Sequence, residues 1–281
     1  MVQVTMHDGS TIAAEVRGSG PTLLLPVDPT PVEGEQADEM RKWGNDPALG
    51  RSLIDGLGDV FQVVAFDYTG HVLNAPKPDT LTPANVVADL LAVADAVRAE
   101  RFAYYGYSWL ALSGLQLALG TDRLSALVMG GYPPYEGPYA EMLKVTMAAY
   151  EQALAPTPAP APKEKSSDDA FDWSSVEVST TVDQSKQFVT LYEALQSFDD
   201  TAVRLSCPRL CFAGAEDKIT YEERWGGVVV DLAGPLVRHR AELEALGWDV
   251  VVLDGLDHMS AMQATNALPV LRPWLTETLL K

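Results

Sequence analysis

The chain has 281 residues, 47% of them hydrophobic, which suits one large α/β domain or a domain carrying an inserted subdomain. Its 39 acidic and 20 basic residues give a net charge of −19, a field that repels phosphate backbones and argues against a nucleic-acid partner. No apolar run reaches the ~18–20 residues that span a bilayer, so no membrane partner is expected.

In chain order, residues 1–17 read as two strands around the turn HDGS. They lack an apolar signal core, and the reading is a cytoplasmic protein. PTLLLPV (21–27) is a short continuous apolar run, as a buried strand requires, and a polar loop follows. DPALGRSLIDGLG (46–58) predicts a helix with Asp46 as its N-cap and Gly58 at its end. FQVVAFDY (61–68) is a second buried strand. TPANVVADLLAVADAVRAE (82–100) opens on a Thr–Pro start signal and keeps helical apolar spacing. RFAYYGY (101–107), SWLALSGLQLALG (108–120) and LSALVMGGY (124–132) read as strand, helix and strand. PRLCFAGA (208–215) is a strand, a helical stretch follows around 222–246, WDVVVLDG (248–255) is a strand, and a last helical segment starts near Met259. Cys207 and Cys211, in SCPRLCF, flank what reads as a strand that cannot easily bend to pair them; two thiols alone make no zinc site, and both read as core thiols in a reducing compartment.

Repeated β–α units imply an α/β fold, a mostly parallel sheet with helices on both faces. Residues 133–200 break the rhythm with two helix-like pieces near 139–154 and 182–197, separated by a Pro/Ala-rich, charged loop near 155–169 that reads as mobile. The expected division is a core of 1–132 and 201–281 with a helical cap at 133–200.

In a parallel sheet, sites form at the carboxyl ends of the strands. Ser108 stands at such an end, in GYSWL, and by itself fits either a nucleophile on a sharp turn or a helix N-cap. A serine nucleophile needs a base, and the base an orienting acid. Of His7, His71, His239 and His258, only His258 follows the last strand. Glu216 and Asp217 both lie just past an earlier strand end. The order serine, acid, histidine on three separate strand ends selects the nucleophile reading.

At this point the chain resembles the α/β-hydrolase fold superfamily over nearly its full length. FDYTGHV (66–72) is similar to the Asp-x-x-Gly-His-Gly turn, with Val72 in place of the last glycine, and FAGAEDKI resembles the Gly-x-x-Asp acid loop. LDHM resembles the catalytic-histidine loop, and 133–200 occupies the place of the cap. The resemblance implies catalytic Ser108, Asp217 and His258, with Glu136 as a fallback acid. It implies an oxyanion hole built from the Trp109 N–H and a donor in the loop after the third strand, Asp28 or Val27. That loop departs from the superfamily pattern: Pro26 and Val27 replace His-Gly, and the Asp28 carboxylate either points to solvent or opposes the charge it should stabilise.

Tyr68, Tyr107, Trp109, Tyr132, Tyr135, Tyr150 and Tyr192 are candidates to line a pocket, with Tyr107, Tyr132 and Tyr68 the preferred substrate contacts. An aromatic rim suits a small-molecule substrate that is apolar or cyclic. Haloalkane dehalogenases and epoxide hydrolases of the superfamily use an aspartate nucleophile, so serine at 108 argues against both activities. The function expected is hydrolysis of carboxylic esters or lactones through an acyl-enzyme, with C–C bond hydrolysis a close variant and no metal or organic cofactor. The alternatives are a non-hydrolytic protein of the same fold, either a small-molecule binder or a cofactor-free lyase or cyclase, and a protein–protein module.

Overall fold

A computed structural model describes residues 1–42, 44–155 and 181–280. The chain opens with β1 (Val2–Thr5), β2 (Thr11–Arg17) and β3 (Thr22–Leu25), then α1 (Gly34–Lys42) and α2 (Leu49–Leu57). Next come β4 (Gln62–Ala65), α3 (Tyr68–Asn74), α4 (Pro83–Ala96), β5 (Phe102–Tyr107), α5 (Trp109–Gly120) and β6 (Leu124–Gly130). These are followed by α6 (Tyr139–Leu154), α7 (Val182–Ala194), β7 (Arg209–Gly214), β8 (Lys218–Thr220) and β9 (Val229–Asp231). The last elements are α8 (Gly234–Arg238), α9 (Arg240–Ala245), β10 (Trp248–Leu253), α10 (His258–Met262) and α11 (Ala264–Leu279).

Eight strands form one sheet in the order β1-β2-β4-β3-β5-β6-β7-β10, parallel from β4 to β10, with β1 and β2 antiparallel at one edge. Side chains alternate across it. Leu24, Phe102 and Tyr104 face a cluster completed by Leu90 and Val93 of α4 and Leu112 and Leu115 of α5. Leu23, Leu25, Ala103 and Tyr105 face the other side, against Leu53, Ile54 and Leu57 of α2 and Leu271 and Leu275 of α11. A continuous apolar run is therefore what each central strand needs, and each fully buried leucine contributes roughly 2 kcal/mol. From β3 the chain moves first to β4 on one side, then back to β5 on the other. The reversal opens a crevice at the carboxyl ends of β3 and β5.

Several expectations need correction. Residues 34–42 of the polar loop form α1. Asp46 does not cap α2, which starts at Leu49; its carboxylate accepts from Ala48 N–H and the Ser52 hydroxyl, bracing the turn before the helix. The strand expected over 61–68 stops at Ala65, because Asp67 accepts from Gly70 N–H and starts α3. Residues 218–231 hold the antiparallel β8–β9 hairpin rather than helix. Cys207 and Cys211 are free, buried thiols. Helices α6 and α7 pack on each other in the region between β6 and β7. The Pro/Ala-rich loop lies almost wholly outside the described residues. No helix among the described residues is long and apolar enough to cross a membrane.

Candidate active site

β5 enters α5 through one residue, Ser108, whose φ of 56° and ψ of −129° lie outside both strand and helix geometry. A non-glycine residue held there costs of order 1–3 kcal/mol, and such strain gathers at functional sites. The turn is possible because β5 and α5 touch closely. A Cβ on Gly106 would sit 2.3 Å from the Leu110 carbonyl oxygen, and one on Gly114 would sit 2.5 Å from the Tyr104 ring. The sequence has leucine at 110 where the elbow pattern has glycine; the close approach falls instead at 114, one helical turn further on. Ser108 carries no side-chain cap to α5, which leaves its hydroxyl free of that role. Because α5 begins at Trp109, the Trp109 N–H is among the donors a helix start leaves unpaired.

Asp217 follows β7 and His258 follows β10, strands that pair directly. Asp217 is fully buried, and both its carboxylate oxygens lie near His258 Nδ1, at 3.0 and 2.9 Å. The carboxylate can only accept, so Nδ1 carries the proton and Nε2 is the ring's basic position. Burial raises the Asp217 pKa, and the hydrogen bond from His258 works against that rise. Two further contacts hold the histidine. Asp257 and Ser260 form a reciprocal cap at the start of α10, and the Tyr107 hydroxyl donates to the His258 carbonyl at 2.7 Å.

Ser108 lies where two cavities meet. One, of about 260 Å³, is lined by Pro26, Val27 and Asp28 of the loop after β3, by Leu49, Leu53 and Met262, and by Asp67, Tyr107 and Trp109. The other is a chamber of about 90 Å³ lined by Ser108 and His258 with Tyr132, Met142, Tyr192, Ile219, Tyr221, Val230 and Leu232. Ser108 and His258 thus share one enclosed space.

No family model matches the sequence, and no curated protein is significantly similar to it. Solved structures are similar over almost the whole chain. An esterase from Thermogutta terrifontis, with malate bound, is 15% identical, covers 99% of this chain and 98% of its own, and superposes with a TM-score of 0.59. The enol-lactonase from Burkholderia xenovorans is 15% identical over 98% and 99% of the two chains, with a TM-score of 0.57. An epoxide hydrolase from Vigna radiata is 15% identical over 98% and 97%, with a TM-score of 0.59. The chain has the α/β-hydrolase fold.

On this α/β-hydrolase scaffold the remaining predicted residues divide. Tyr107 and Trp109 line the larger cavity, and Tyr132 and Tyr192 line the chamber. Tyr68 touches neither: it is fully buried, gives its hydroxyl to Asp89 at 2.7 Å, and supports the Trp109 indole at 5.9 Å between ring centres. Trp109 also meets Phe188 of α7 edge-on. Val27 N–H is committed to the Leu25 carbonyl at 2.8 Å, so Val27 is not the second oxyanion donor. Asp28 is exposed, and its carboxylate accepts from Thr30 N–H at 2.8 Å, folding back on its own loop. Glu136 pairs with His239 at 2.9 Å and does not serve His258; the Tyr135 ring meets that same His239 at a tilt, 5.0 Å between ring centres.

The chamber wall supplied by Ile219, Tyr221, Val230 and Leu232 is not among the expected site residues; a helix was expected over the last two, and the first two follow the acid loop. The available signal was ITY and VVVDL flanking the Gly226–Gly227 pair, a strand–turn–strand pattern.

Proposed function

We propose that this protein is a serine hydrolase of carboxylic esters or lactones. The observation that carries the reading is the Asp217–His258 pair opening onto the same chamber as a strained Ser108. The Ser108 hydroxyl oxygen attacks the carbonyl carbon while His258 Nε2 takes its proton. Asp217 fixes the Nδ1–H tautomer and stabilises the imidazolium that forms. The developing oxyanion is held by Trp109 N–H and Asp28 N–H. The carbon–oxygen bond to the leaving group breaks as Nε2 returns the proton to that oxygen. Water, deprotonated in turn by His258, then releases the acid from Ser108.

The bond from Thr30 N–H draws the Asp28 carboxylate back toward its own loop, which supports a role for the Asp28 N–H rather than its charge. We assign residues 133–200 the role of a cap, with α7 bringing Phe188 over Trp109. The larger cavity, walled by Leu49, Leu53 and Met262, suits an apolar acyl group.

The test is intact mass after exposure to a fluorophosphonate probe, for the wild type and for Ser108→Ala. One adduct on the wild type and none on the variant is the expected result. A folded wild type that takes no adduct would overturn the reading in favour of a binding or non-hydrolytic role.

A further inference from the structure

One residue of the chamber wall carries an unsatisfied group. Tyr132 lines it at 2% exposure, and its hydroxyl has no hydrogen-bond partner among the described residues. A buried hydroxyl without a partner loses its hydration and gains nothing in return. Natural folds keep few such groups, and those they keep call for an explanation. The other walls supply mainly apolar surface: Met142, Ile219, Val230 and Leu232. At about 90 Å³, the space is far smaller than the neighbouring cavity and suits only a short group.

The direction of the reaction decides what enters. Both proposed oxyanion donors, Trp109 and Asp28, line the larger cavity, whereas His258 lines the chamber. A leaving-group oxygen must come within hydrogen-bond reach of His258 Nε2 to receive its proton. Whatever is attached to that oxygen therefore continues into the chamber, while the acyl chain takes the larger cavity. The group that reaches Tyr132 must be neutral: Asp200 accepts from the Tyr139 hydroxyl at 3.0 Å, the Tyr139 ring lies 6.0 Å from that of Tyr132, and a carboxylate so near would repel an anion.

We propose that the chamber is a subsite for a short leaving alcohol carrying a second, neutral oxygen, and that Tyr132 selects this alcohol by hydrogen-bonding that oxygen. The proposal rests on Ser108 being the nucleophile. The bonds balance as in any ester cleavage: Ser108 Oγ joins the acyl carbon, the carbon–alkoxy bond breaks, and the alcohol leaves with the proton carried by His258.

The experiment compares the 2-hydroxyethyl and n-propyl esters of butanoic acid, whose leaving groups have equal numbers of non-hydrogen atoms. It measures kcat/KM for both, in the wild type and in Tyr132→Phe, beside fluorophosphonate labelling of each enzyme. We expect the wild type to favour the hydroxyethyl ester, and the variant to reduce that preference about tenfold while still labelling at Ser108. A residue that only packed the core would change both esters alike. An unchanged ratio with normal labelling would overturn this proposal alone, whereas no labelling of the wild type would overturn the hydrolase reading and this one with it. Because Phe removes an unpaired hydroxyl and keeps the ring, the variant is expected to melt at or above the wild-type temperature.

Discussion

In the proposed mechanism, Asp217 is a residue at which function and stability pull apart. Its folded pKa is raised because burial disfavours the carboxylate, and the bond from His258 offsets only part of that. A raised folded pKa means that the protonated form is the one the fold prefers. At neutral pH the ionised carboxylate is therefore a cost that the fold carries. Asp217→Asn removes the charge at nearly constant shape. Its amide can donate to Nδ1, which favours the wrong imidazole tautomer, and kcat on a butanoate ester is expected to fall about 10³–10⁴-fold, as in serine proteases. The same variant is expected to be no less stable than the wild type at pH 7 by urea titration. A loss under tenfold would remove Asp217 from the mechanism. The placement of Ser108, Asp217 and His258 at strand ends was legible in the sequence, because strand ends are the easiest positions to locate. Tyr68, which lines neither cavity, and Val27, which lines the larger one but turns its N–H away, show what strand ends alone do not reveal. Their neighbours in sequence do approach the site, but a helix start at Tyr68 and a tight turn at Val27 redirect the hydroxyl to Asp89 and the N–H to Leu25.

At the scale of elements, the loop between β6 and α6 fixes where Tyr132 stands. Asp200, 4% exposed, organises that loop from outside: its carboxylate accepts from Glu136 N–H at 2.8 Å, Gly137 N–H at 2.8 Å and the Tyr139 hydroxyl at 3.0 Å. Asp200→Ala would strand three donors at once, and a loss of at least about 2 kcal/mol in urea unfolding is expected. Thr82→Ala is the contrast, since it removes only the cap at the start of α4 and should cost about 1 kcal/mol. Equal costs would show that Asp200 is no more than an ordinary cap. Helix α4 was easy to place because Thr82 and Pro83 mark its start locally. The β8–β9 hairpin was not, for its pairing joins two three-residue strands across a loop. The role of Asp200 was equally hidden: it is one acid in a run of polar residues, and its partners lie more than 60 positions away.

Across the whole molecule, the first hairpin, the segment joining α3 to α4, and α7 are tied by a buried polar network. Lys77, its side chain fully buried, pairs with Asp8 and donates to Ser10 at 3.1 Å. Ser10 in turn meets His71 of α3 at 3.1 Å, and Lys77 N–H reaches Gln187 of α7 at 3.1 Å. Nothing in the local pattern around Lys77 marks it as buried, so this network was invisible until the chain was folded. It also makes stability depend on pH in a defined direction. Burial works against ionisation of Asp8, but the hydrogen bonds from Lys77 and Ser10 outweigh it and hold its pKa well below the usual carboxylate range. A lowered folded pKa contributes stability above the unfolded value of ~3.9, and that contribution is lost as pH falls toward the folded value. Asp8→Asn leaves the buried ammonium of Lys77 without its counter-charge. The expected cost at pH 7 is about 3 kcal/mol, at the lower end for a broken buried pair because Asp8 itself keeps some contact with water. Urea midpoints of wild type and variant, measured from pH 7 down to pH 2.5, should differ by a gap that closes below about pH 4. Asp8 also favours the protonated form of nearby His71, so only the change in the gap below about pH 4 is assigned to Asp8 itself. A gap that stays constant to pH 2.5 would mean that the ion pair between the first hairpin and the rest of the fold contributes nothing through its charge.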